Sequence, residues 1–105
     1  MPLPAQLEQR LRLPLVAAPM FLVSNPALVT ACCTNGVVGS FPALNQRESS
    51  GFRDWLQEIG EQLAPQPDAA PYAVNLIVHH SNPRLQADLA ICVEQRVPIV
   101  ITSLG

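Results

Sequence analysis

The stretch "YAVNLIVHHSNP", residues 72–83, carries a nearly continuous apolar run interrupted by one amide and ended by two histidines. A run this short, bounded by Pro71 before it and Pro83 after it, reads as a strand buried on both faces, the pattern of a parallel sheet. Side chains alternate along a strand, so Ala73, Asn75, Ile77 and His79 share one face, while Val74, Leu76 and Val78 share the other. An amide buried without a partner costs about 1–3 kcal/mol. Asn75 is therefore expected to hydrogen-bond either to neighbouring strands or to something bound against them.

Similar units lie on either side. "LPLVAAP" (13–19) is a short apolar run closed by Pro19, expected to be a first strand buried on both faces. Asn25-Pro26 opens a helix, with the Asn as cap and the Pro supplying a preset φ where no amide donor is needed. Leu28, Val29 and Cys32 fall on one face of that helix, and Asn35-Gly36 ends it. "VVGSF" (37–41) is the second strand. Phe52, Trp55, Leu56, Ile59 and Leu63 recur at helical spacing, and "APQPDAAP" (64–71) then returns the chain to the strand at 72–78. Ser81-Asn82-Pro83 repeats Ser24-Asn25-Pro26 and is expected to repeat its capping, opening a helix over 83–96. "VPIVITSL" (97–104) is the fourth strand.

Four apolar strands joined by three helices make (βα)3β, which requires parallel strands and right-handed crossovers. An open doubly wound sheet would favour a glycine-rich turn after its first strand, and "APMFLVSNP" contains no glycine. The other solution is a (β/α)8 barrel of the TIM type. A complete barrel takes about 200 residues or more, so these 105 residues correspond to its first half.

Composition narrows the function. The chain is 49% hydrophobic and 13% charged, with net charge −2, six scattered Arg and no Lys. No basic stripe exists to track a nucleic-acid backbone. No apolar run approaches a membrane span, nor does the N-terminus have the form of a signal peptide, so a soluble cytoplasmic protein is expected. Cys32, Cys33 and Cys92 lack the spacing of metal or redox sites and read as small buried hydrophobes; no metal site is expected.

"LPLVAAPM" (13–20), "NGVVGSFPALNQR" (35–47) and "YAVNLIV" (72–78), taken in order, resemble the N-terminal part of the nitronate monooxygenase family, also called 2-nitropropane dioxygenases. That resemblance implies an FMN-dependent (β/α)8 barrel that oxidises alkyl nitronates with O2 to a carbonyl compound and nitrite, the flavin lying at the C-terminal mouth of the strands. Ala17, Ala18, Pro19 and Met20 match the strand end whose backbone lies against the isoalloxazine ring, where small side chains let the main chain approach. Asn75 matches a flavin-contacting Asn, whose amide both donates and accepts. Met20 also matches the position of a substrate-side wall, or packs.

His79 is a candidate acid or base on the face of Asn75, with a loop or packing role as its alternative; His80 is expected to point the other way. The family's catalytic His follows the fourth strand and is expected beyond this chain, as is the phosphate-binding part of the barrel. Residues 1–105 then form a single partial domain, an N-terminal fragment that binds FMN weakly or not at all on its own. Its exposed strand edges favour self-association. Two rival functions are an FMN-dependent enoyl-thioester reductase, which resembles this family in its N-terminal half, and a non-catalytic half-barrel assembly piece.

Overall fold

The computed structural model describes residues 3–105. Helix α1 (Ala5–Glu8) is followed by an extended segment, α2 (Pro26–Thr34), β1 (Ser40–Pro42), a 3-10 turn (Ala43–Asn45), α3 (Ser49–Leu63), β2 (Ala73–Ile77), α4 (Leu85–Glu94) and β3 (Ile99–Ser103). The three strands form one parallel sheet in the order β1-β2-β3, with Pro42 opposite Asn75 and Asn75 opposite Ile101. Among the described residues, no helix is long and apolar enough to cross a membrane.

The expected first strand is reduced to a single parallel bridge between Val16 and Val38. Ala17 N–H donates to Val38 O (2.8 Å) and Val38 N–H to Leu15 O (3.1 Å). Pro14 and Pro19 have no N–H to extend the ladder, which confines pairing to the residues between them. This edge segment is also not buried on both faces: Leu13, Leu15 and Val16 are all exposed, because among the described residues it pairs on one side alone, at Val38. The second strand likewise starts at Ser40 rather than 37.

One face of the sheet is covered by helices. Phe41, Val74 and Leu76 are buried in a core with Val29 and Cys33 of α2, Phe52, Leu56 and Ile59 of α3, and Ile91 and Cys92 of α4. Phe41 packs against Phe52 and edge-on against Trp55, with centroids 5.9 and 5.6 Å apart. Burial pushes the Cys92 thiol up to about 11 and the Tyr72 hydroxyl up to about 12, and it raises Cys33 as well. Gly39 sits where α2 crosses closely: a Cβ there would lie 2.5 Å from the Val29 carbonyl oxygen.

Two helix ends follow one geometry with different residues. After α2, Gly36 N–H bonds Cys33 O and Val37 N–H bonds Cys32 O; after α4, Arg96 N–H bonds Val93 O and Val97 N–H bonds Cys92 O. Both are Schellman endings, which need a left-handed residue, and these are Gly36 (φ 86) and Arg96 (φ 54). The helix starts differ from each other. Asn25 caps α2 as expected, its side chain accepting from Leu28 N–H (2.9 Å). Asn82 does not repeat this: its Oδ1 accepts from Arg84 N–H and its Nδ2 donates to Ile77 O, so it closes a turn against β2, and α4 starts only at Leu85.

Candidate functional site

Alternation along β2 places Asn75 on the face opposite the helix-covered Val74 and Leu76, in the row Pro42, Asn75, Ile101. Its Nδ2 donates to Ile101 O (3.0 Å) and to Ser103 Oγ (3.0 Å). A backbone carbonyl can only accept, so the nitrogen must face β3, which leaves Oδ1 outside these bonds as an acceptor. The first of the two expected partners, a neighbouring strand, is thus present, and half of the amide's capacity remains.

At the sheet's other edge, Ala17 is tied at both main-chain groups: its N–H pairs with Val38, and its carbonyl accepts from the hydroxyl of Ser40, which stands opposite Ala73 on β2. Ala17 therefore lies two strand positions from β2, roughly 10 Å across the sheet, with its N–H and one acceptor position of its carbonyl already in use. Met20 is also engaged. Its N–H donates to Ser24 Oγ (2.8 Å), and its carbonyl accepts from Val23 N–H, Ser24 N–H and Asn45 Nδ2. Between them, the Ala18 N–H and the Ala18 and Pro19 carbonyls enter none of the hydrogen bonds among the described residues. Of the four residues matched at this strand end, these two retain free main-chain groups, and Met20 contributes an exposed side chain.

The connections at the C-terminal ends of the strands are laced together. Asn45 Oδ1 accepts from Leu22 N–H (2.9 Å), while its Nδ2 reaches Met20 O and Ser24 O (3.1 and 2.8 Å). Arg84 donates to the carbonyls of Gln46 and Ala43 and pairs with Asp88 at 3.0 Å. Asp88 is fully buried and also accepts from Ser49 Oγ (2.8 Å). Asn45 and Arg84 were not singled out from the sequence. Asn45 stood within the motif "PALNQR", but neither composition nor periodicity marks a residue whose partners are main-chain groups about 20 to 40 positions away.

His79 and His80 lie past the end of β2, so strand alternation does not reach them. Their rings lie side by side, with centroids 4.0 Å apart and planes tilted by 36°, rather than pointing to opposite sides. His79 Nδ1 accepts from Ser81 N–H (3.1 Å) and meets Ser81 Oγ at 2.7 Å. His79 is a turn residue in this arrangement.

Ala18 and Pro19 keep one N–H and two carbonyls, and Asn75 one acceptor, outside the hydrogen bonds among the described residues, the mixture of donor and acceptor that a flavin edge would call on. The phosphate has no comparable partner in Arg84, whose guanidinium is occupied by Asp88 and by loop carbonyls. A cavity of about 230 Å³, lined by Pro4, Leu7, Arg10, Pro71, Pro98 and Ile99 among others, lies at the opposite end of the strands, where Arg10 Nε holds Ala69 O.

No protein-family profile and no curated protein matches the sequence. Among solved structures, the chain is similar to FabK from Thermotoga maritima, with a TM-score of 0.77 and 22% identity over 95% of this chain and 29% of that one. It is similar also to a point mutant of the same protein, with a TM-score of 0.75, again 22% identity, covering 95% of this chain and 31% of the other. The chain thus spans about 30% of the length of the structures it matches. What this likeness establishes is the fold: a parallel sheet with outer helices that forms part of a (β/α)8 barrel.

Proposed function

We propose that this chain supplies ring-facing strands of an FMN-dependent oxidoreductase. The observation that carries the reading is Asn75, a part-buried amide on the sheet face opposite Val74 and Leu76, with Nδ2 anchored to β3 and Oδ1 outside the hydrogen bonds among the described residues. FabK, whose fold the chain shares, is an FMN-dependent enoyl reductase of the 2-nitropropane dioxygenase-like barrel superfamily. Asn75, Ala18 and Pro19 would hold and orient the isoalloxazine; the flavin, when bound, supplies two-electron redox chemistry. No proton transfer is assigned to this chain, since the resemblance places the family's catalytic His after the fourth strand.

The motifs at 13–20, 35–47 and 72–78 favour an alkyl nitronate as the substrate, oxidised with O2 to a carbonyl compound and nitrite. The fold shared with FabK favours a second reading, reduction of an enoyl thioester by a reduced nicotinamide. The two separate cleanly in the protein that carries this chain. Oxygen uptake with nitrite release from propane-2-nitronate supports the first, and nicotinamide oxidation that depends on an enoyl thioester supports the second. Activity with neither, in a protein that retains no flavin, sinks both. The 105-residue chain titrated alone with FMN is expected to bind weakly or not at all, and micromolar affinity would overturn that expectation.

A further inference from the structure

We propose that Asn45 is the positioning residue of this site: its single amide sets the main-chain conformation of Ala18–Met20 from the neighbouring loop. Leu22, in the turn that follows this segment, lies in the left-handed region at φ 63. A branched L residue adopts that region rarely and keeps it only where the surroundings over-determine it. Here the turn's own bonds from Val23 N–H and Ser24 N–H to Met20 O are joined by one side chain from another loop. Asn45 arrives from the 3-10 turn after β1, accepts the Leu22 N–H, and donates to the carbonyls of Met20 and Ser24. All three contacts are to main chain, so they fix the shape of the turn whatever its side chains are. The buried Ser24 hydroxyl adds a fourth tie by accepting from Met20 N–H.

The consequence falls on the two residues with free polar groups. Ala17 is pinned to Val38 and Ser40, and Met20 is pinned to Asn45 and Ser24. Ala18 and Pro19 span the gap with both ends held, so the direction in which they present one N–H and two carbonyls is inherited from Asn45. The same clamp holds Phe21, Leu22 and Val23 outward, where all three are exposed. That the presented groups meet a flavin rests on the proposed function; the clamp does not.

Amide exchange and chemical shifts measured by NMR on the full chain and on Asn45→Ala and Asn45→Asp test this. In Asn45→Ala the Leu22 amide should exchange about tenfold faster, as loss of one hydrogen bond implies. The Ala18 and Met20 amide shifts should move, while Val29 and Val74 in the core keep theirs. Asn45→Asp still accepts from Leu22 but cannot donate, so Leu22 protection should return toward the parent while the shifts at Ala18 and Met20 stay displaced. Unchanged Leu22 exchange in Asn45→Ala, or a loss spread evenly over the core amides, overturns the proposal. Adding millimolar FMN to the same samples separates it from the functional reading. Perturbation of the Asn75 side-chain amide in the parent but not in Asn45→Ala upholds both, and no perturbation in the parent matches the weak or absent binding expected of these 105 residues, the exchange data alone then deciding the clamp. Equal perturbation in the two overturns the role of Asn45 toward a ligand.

Discussion

Asn75 joins β2 to β3 through side-chain donation to Ile101 O and Ser103 Oγ. Asn75→Ala should lower unfolding free energy by about 1 kcal/mol, read from urea denaturation. Ser103→Ala should cost less, since Ile101 O still accepts. The two Schellman endings supply a contrasting pair. Arg96→Gly removes a left-handed penalty of about 1–2 kcal/mol and adds unfolded-state entropy worth about 0.4–1 kcal/mol, so a net gain of about 0.5–1 kcal/mol is expected. Gly36→Ala should destabilise by more than that gain, because φ is 86 and the new Cβ would meet Arg12 Cβ at 2.5 Å. Thermal unfolding of the two variants, one rising and one falling, checks the pair.

The junction of α3, α4 and the turn after β1 rests on a buried ion pair. Asp88 has no exposure and faces Arg84 and Ser49, while Arg84 also holds two loop carbonyls. Asp88→Ala would leave the guanidinium largely buried without its counter-charge, a change that typically costs about 3–5 kcal/mol. A loss under 1 kcal/mol in urea would show instead that Arg84 finds water. Periodicity made α3 legible: Phe52, Leu56 and Ile59 are all buried, and Trp55 and Leu63 pack on the same core. The repeated Ser-Asn-Pro did not transfer from α2 to α4, because whether an Asn caps a helix or closes a turn depends on which main-chain groups lie within its reach.

Across the whole molecule, three buried acids set the alkaline limit of stability. Folding raises Cys92 from an ordinary 9.0 to about 11 and Tyr72 from 10.0 to about 12, and Cys33 moves in the same direction. The folded state therefore holds these protons more tightly than the unfolded one. This contribution is fully present below pH 9 and is lost as pH rises through the window from 9 to about 12. Urea midpoints measured in steps across that window should fall continuously, and a flat profile would contradict the burial of these groups. Parallel connectivity was readable in the alternation of apolar runs and helical patterns along the chain, and the separation of Asn75 from Val74 and Leu76 onto opposite faces in residues 72–78, because strand alternation and apolar content are local properties; which face the helices cover was decided by packing. The same alternation failed at His79 and His80, since it ends where the strand ends. The first strand was read correctly as extended but not in its burial or length, which depend on how many neighbours it has and on prolines that withhold donors. The occupancy of Ala17 and Met20, and the reach of Asn45 and Arg84 into distant loops, had no mark in the chain order. Hydrogen bonds between residues far apart in sequence follow from where packing brings the loops together.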